Sequence, residues 1–168
     1  MSVSAKINNA VDMDDLDSAL ELAEAWVKND QNEHKAWSKL SFVYEVHGNY
    51  TNAVCSIKKA LSIKNDYPPY YFKLGYNEYK IGNYKEAAEA FSICMTKSTL
   101  LNDGYLLNPS KIALAKCCLL SGDLEKASQA LSEVPENTGT WLDGRYLAGD
   151  IKREIERRIK KAKPGVQI

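Results

Sequence analysis

The sequence predicts an all-α fold, a solenoid of paired antiparallel helices, and three observations carry that prediction. One pattern is written twice between Ala36 and Lys97, with Tyr71 in the second copy taking the place of Trp37 in the first. Trp37, Leu40, Tyr44, Gly48, Asn49, Tyr50, Ala53, Ile57 and Ala60 face Tyr71, Leu74, Glu78, Gly82, Asn83, Tyr84, Ala87, Phe91 and Cys94, and size and polarity agree at every pair but Tyr44 and Glu78, where Tyr79 is the near neighbour. In each copy the apolar residues recur at helical spacing on both sides of a Gly-Asn-Tyr turn. Gly48, Gly82 and Gly122 fall where such turns are due, and glycine tolerates the left-handed conformation that a helix C-terminus needs.

Carried backward, the same grid lands on Asp14, so Leu16, Ala19 and Ala23 take the places of Tyr50, Ala53 and Ile57. A second helix is therefore expected over 15–29, with Asp14 or Asp15 as its cap. Its partner over 3–11 is weakly written, through Val3, Ile7, Ala10 and Val11, and should fray as terminal repeats do. Polar residues 29–33 join this unit to a helix over 34–47, which packs Trp37, Leu40, Ser41 and Tyr44. The return helix over 50–63 turns Ala53, Ile57 and Ala60 inward. Pro68 and Pro69 suit the first turn of the next helix, where no amide bond is lost, and helices follow over 70–81 and 84–99.

The register then breaks, because Gly122 follows Gly82 at a longer interval than Gly82 follows Gly48. The extra residues fall in 99–108, an apolar insert that either lengthens the preceding helix or lays leucines against the groove of the solenoid. Asn108-Pro109 restarts the grid with Pro109 in the place of Pro69, and Leu114, Ala115, Cys118, Leu124, Ala127, Leu131 and Val134 complete a third copy that Pro135 stops. Thr140 is the expected cap of a last helix over 141–162 with a stripe of Trp141, Gly144, Leu147, Ala148, Ile151, Ile155 and Ile159. Such a helix covers the open end of the stack.

A 34-residue period of two helical faces about a turn resembles the tetratricopeptide repeat. The resemblance implies one tetratricopeptide-repeat solenoid over 1–168, with repeats at 1–30, 34–64, 68–99 and 108–135 and a capping helix at 140–162. It also implies that the first helix of each pair lines a concave groove. With Trp37 and Tyr71 as the fourth residue of their repeats, the groove positions become Lys35, Ser38, Phe42 and Glu45, then Pro69, Phe72, Tyr76 and Tyr79 flanked by Lys73 and Lys80. Pro109, Ile112, Lys116 and Leu119 follow in the third copy, and Ser4, Asn8 and Val11 in the earliest. Lys35, Phe42, Phe72, Lys73, Tyr76, Tyr79, Lys80, Ile112 and Lys116 are the expected partner-binding residues. Rings beside lysines suit an apolar peptide that carries acidic residues.

Relatives that hold chaperone tails resemble one another in a clamp of lysines, asparagines and an arginine. Here those places hold Ser4, Ser38, Phe42, Phe72, Pro109 and Ala113, with Asn8 alone in agreement, so that role is disfavoured. Length and aromatic groove are similar, in part, to the three-repeat secretion chaperones of bacteria, and small free-standing repeat proteins also serve as immunity or antitoxin-type partners of a toxin. Residues do not separate these roles.

No catalytic constellation is written in the chain. His34 and His47 stand at opposite ends of one helix, which excludes a His-x-x-x-His metal pair. No serine has a Gly-x-Ser-x-Gly context and no glycine-rich phosphate loop is present. The expectation is a non-enzyme without cofactor or metal. Cys55, Cys94, Cys117 and Cys118 make no Cys-x-x-Cys pair and read as small buried apolar residues.

With 22 basic and 22 acidic residues there is no surplus charge to neutralise phosphates, which disfavours nucleic acid. The exception is local. Asp12, Asp14, Asp15, Asp17, Glu21 and Glu24 crowd the beginning, and Lys152, Arg153, Arg157, Arg158, Lys160, Lys161 and Lys163 crowd the end against Glu154 and Glu156. The basic end is the one feature that favours a nucleic-acid binder, and the asymmetry leaves a homodimer of complementary ends open. Residues 1–9 show no secretory pattern and Lys116 breaks the most apolar stretch, 112–120, so no membrane span and a cytoplasmic location are expected.

Overall fold

In the computed structural model, which describes residues 1–102 and 104–162, the turns set the repeat. Asp14, Gly48, Gly82 and Gly122 hold φ of 60, 73, 93 and 88°, all left-handed. Glycine bears this without strain, whereas Asp14 does so at a cost of about 1 kcal/mol. The residue after each turn opens the return helix. Asp15, Asn49 and Asp123 accept hydrogen bonds from the amides of Ser18, Asn52 and Lys126 at 3.2, 3.2 and 3.0 Å. Asn83 instead donates to Glu78 Oε2 at 2.8 Å.

The resulting helices are α1 (Val3–Asp12), α2 (Leu16–Asn29), α3 (His34–Val46), α4 (Tyr50–Ile63), α5 (Pro68–Ile81), α6 (Tyr84–Leu100), α7 (Gly104–Ser121) and α8 (Leu124–Ala130). Each packs on its neighbours in chain order, as a stack of antiparallel pairs requires. Ser2 caps α1 through Ala5 N–H at 3.2 Å, so the expected weak first helix is a full one of 10 residues.

Two devices recur with the period. Trp37 Nε1 donates to Gln31 O at 2.8 Å and Tyr71 Oη to Asn65 O at 3.0 Å, so the aromatic that opens each copy pins the linker just before it. Small residues also stand in step where the two helices of a pair come close. Ser41 is fully buried and donates to Ala53 O at 2.9 Å. Its counterpart Gly75 leaves no room, since a Cβ there would lie 2.9 Å from the buried Phe91 ring.

The structure corrects three boundaries. The insert lengthens both neighbouring helices: α6 runs to Leu100 and α7 begins at Gly104, so Pro109 lies inside α7 and does not restart the grid at 108. Asp103, within that insert, is outside the described residues. The return helix α8 has only 7 residues before the chain turns toward Pro135.

The third correction is the largest. Residues 140–147 are not helical; Gly139–Trp141 (β1) and Arg145–Leu147 (β2) form an antiparallel hairpin, and α9 spans Ala148–Ala162. Asp143-Gly144 is a turn dipeptide, and the Leu142 amide closes onto Gly144 O at 3.0 Å. Thr140 therefore pairs with Tyr146 in the ladder and caps nothing, and Trp141 is 69% exposed. Leu142, at 1% exposure, carries the apolar anchoring that the helical stripe assigned to Trp141. It joins the buried cluster of Tyr79, Ile112, Leu119, Leu131, Ile151 and Ile155 that closes the C-terminal end. Cys55 also departs from expectation: it lies on the exposed side of α4, while Cys94, Cys117 and Cys118 are buried.

Candidate functional site

The first helices α1, α3 and α5 lie side by side and share a face. On it a cleft of about 740 Å³ is lined by Ser4 of α1, His34, Lys35, Ser38, Lys39 and Phe42 of α3, and Pro69, Tyr70 and Lys73 of α5, with Trp26, Lys64 and Tyr67 at its edges. A smaller cleft of about 230 Å³ continues along α3 and α5 between Glu45, Pro69, Phe72, Lys73 and Tyr76. Helical spacing explains the grouping, because Lys35, Ser38, Lys39 and Phe42 recur at intervals of three and four and fall on one side of α3.

The two clefts meet at Pro69 and Lys73. The Lys73 side chain is the charged one of the two. Its ammonium lies 5.2 Å from the centroid of the Phe42 ring, and that of Lys39 lies 5.0 Å away. Burial, then the repulsion of Lys73, lowers the pKa of Lys39 below the usual lysine value. Lys73 is also 3.5 Å from Glu45 Oε2, which accepts a hydrogen bond from Asn77 Nδ2 at 3.0 Å. Asn77 is fully buried and ties α5 to α3 through that contact. Tyr70 Oη lies 2.6 Å from His34 Nδ1, fixing two of the rings. Phe72 is half-buried, edge-on to Phe91 with centroids 5.2 Å apart, so one side of it is core and the other lines the cleft.

Of the residues the resemblance assigns to a groove, Lys35, Phe42 and Lys73 share the larger cleft, and Phe72, Lys73 and Tyr76 the smaller. Lys80 is elsewhere, with its ammonium 5.2 Å from the Tyr50 ring centroid. Tyr79 of the second copy and Ile112 of the third are sealed, which corrects the expectation for both: Ile112 is 0% exposed and Tyr79 6%. At Tyr79 the hairpin does this. Asp143 accepts hydrogen bonds from Tyr79 Oη at 3.0 Å and Tyr146 Oη at 2.7 Å, and Lys116 lies 4.3 Å from the Tyr146 ring centroid. Burial pushes the Tyr79 hydroxyl far above its usual range, helped by the hydrogen bonds to Tyr146 and Asp143. Burial would raise Asp143 too, but the bonds from Tyr146 and Tyr79 outweigh it and hold that carboxyl below its ordinary value.

Sequence reasoning missed Lys39, Trp26, His34, Tyr67 and Tyr70. Lys39 and Lys73 hold equivalent places in successive copies, so the period itself carried a signal for the first. Trp26 and Tyr67 lie outside the first helices, where the groove alignment does not reach.

The basic end is largely consumed within the fold. Arg157 and Arg158 bind Glu154 at 2.7 and 2.8 Å, Arg158 also donates to Leu119 O at 2.9 Å, and Lys152 to Val134 O at 2.7 Å. Arg153 pairs with Asp150 and Glu136. Lys160 and Lys161 stay exposed, and Lys163 is outside the described residues. Among the described residues no group of three His, Cys, Asp or Glu side chains can hold a metal ion, and no helix is long and apolar enough to cross a membrane.

No protein-family model and no curated protein sequence matches the chain. Solved structures do. MamA superposes with a TM-score of 0.68 at 22% identity, over 79% of this chain and 72% of that one. PcrH, in complex with the chaperone binding region of PopD, gives 0.66 at 15% identity over 71% and 90%. TTC0263, a thermophilic TPR protein of Thermus thermophilus, gives 0.59 at 16% identity over 94% and 80%. These likenesses show the fold, a tetratricopeptide-repeat helical solenoid.

Proposed function

We propose that this tetratricopeptide-repeat chain is a non-catalytic binding module that holds a segment of a partner protein on the face of α1, α3 and α5. The observation that carries the reading is the pair of adjoining clefts, whose walls are aromatic rings and lysines where an ordinary solvated helix face would be polar. Half-buried rings with one open side give large contact area at small entropic cost, as interface anchors do. The PcrH structure, with a bound region of PopD, supports a chaperone-like or adaptor-like use of the same fold. The usable face is that of α1, α3 and α5, because Asp143 and Tyr146 of the hairpin already occupy the surroundings of Tyr79 and Lys116.

Photo-crosslinking tests this. A benzophenone side chain at Tyr76 or Phe42 should capture the same partner in the native host, and one at exposed Leu120 should not. The Phe42→Ala/Tyr76→Ala variant, with helical circular dichroism intact, should weaken that partner by about 2 kcal/mol or more. Identical capture from Leu120, or unchanged affinity in the variant, would remove the reading. Phe72→Ala is a poorer probe because it also strips the Phe91 contact.

A further inference from the structure

The larger cleft carries a charge that the chain answers only at its edges. Lys35, Lys39, Lys64, Lys73 and His34 line it, and among the described residues on its wall no side chain is acidic. Lys64 has Asp66 at 3.0 Å and His34 has Glu33 at 4.0 Å, both outside the cleft, and Lys73 has Glu45 at 3.5 Å on the wall of the smaller one. Lys39 meets a neutral acceptor, Asn8 Oδ1 at 2.7 Å. Two ammonium groups thus approach one ring, 5.0 and 5.2 Å from the Phe42 centroid, with a single carboxylate beside the farther one. Both lysines are half-buried, so solvent screens their repulsion poorly.

Resting on the reading above, we propose that this cleft takes an acidic side chain of the partner polypeptide, its carboxylate seated between the Lys39 and Lys73 ammonium groups, with the next apolar residue of the partner against Phe42 and Tyr70. An ammonium is a compact point charge, so two of them can each serve one carboxylate oxygen. The ligand anion removes the repulsion between the lysines and makes charge-assisted hydrogen bonds in a partly water-excluded place. The ring beneath supplies the apolar half of the contact and favours a peptide over a free inorganic anion. Repeat geometry builds the pair, because the two lysines hold equivalent places in α3 and α5.

The test uses the full chain, amide and lysine resonances, and two blocked tetrapeptides, Glu-Leu-Glu-Phe and Gln-Leu-Gln-Phe. The acidic peptide should move α3 and α5 resonances and bind roughly tenfold more tightly than its amide counterpart, a gap that narrows with added salt. Lys39→Gln/Lys73→Gln should erase the gap with the helical spectrum intact; Lys160→Gln/Lys161→Gln should keep it. Equal affinity of the two peptides for the unmodified chain overturns the inference and leaves the binding-face reading standing. A gap that survives in the Lys39→Gln/Lys73→Gln variant overturns it too, as does inorganic phosphate shifting the same lysines as strongly as the acidic peptide. Neither peptide moving any α3 or α5 resonance removes the inference and the broader reading together.

Discussion

At Gly75 the gain and the cost of one methyl group can be compared. Alanine improves helix propensity by about 1 kcal/mol over glycine. Its Cβ, however, would stand 2.9 Å from three atoms of the Phe91 ring, which is fully buried and held edge-on by Phe72. Overpacking a rigid site costs roughly 1–3 kcal/mol, so the net effect of Gly75→Ala is destabilising by about 1 kcal/mol. A lowered urea midpoint at unchanged slope is the expected result, and a raised midpoint would show that the ring yields. Phe42 is instructive at the same scale. Its place on the face of α3 was legible from the repeat, but the convergence of Lys39 and Lys73 on its ring required two helices to be packed.

Among the elements, α9 is a strap whose charges are largely spent at home. The hydrogen bonds from Arg157 and then Arg158 draw the Glu154 carboxyl from its ordinary 4.5 down to about 2. A carboxyl depressed on folding stabilises above its unfolded pKa and loses that contribution as pH falls toward the folded one. The thermal midpoint should therefore drop between pH 4.5 and about 2, and Glu154→Gln should have a lower midpoint at neutral pH but a shallower acid dependence. The effect is small, since the pair is at the surface. Parallel midpoint curves for the two proteins would contradict it. Arg158 adds the backbone oxygen of Leu119 to its partners, which joins α9 to α7. The hairpin escaped a reading by helical stripe because Trp141, Gly144, Leu147, Ala148 and Ile151 satisfy a spacing of three and four while Asp143-Gly144 turns the chain. Leu142, between the stripe positions, is the residue that the hairpin buries.

In the molecule as a whole, repeats contact mainly their neighbours, so stability is shared along the stack and each end must be covered. Ser2 and α1 cover one end, and the hairpin with α9 covers the other. A chain ending at Asn137 would uncover Leu119, Leu131 and Ile112 together. Such a fragment should bind an apolar dye and aggregate at concentrations where the full chain does not, whereas a dispersed dye-free fragment would show the cap to be dispensable.

Read alone, the chain already specifies the period, the four turns and the pairing of helices from α1 to α8, because these follow from local backbone chemistry and from apolar residues recurring at a fixed interval. Which of the expected groove residues remain open is set by packing instead. Tyr79 is closed by Asp143, which comes from a distant part of the chain, Ile112 shares a buried core with Leu142, and Lys39 and Lys73 converge on the Phe42 ring from two helices. Exposure is a property of what the rest of the chain covers, and a repeat specifies its own unit without specifying what a later hairpin will lie upon.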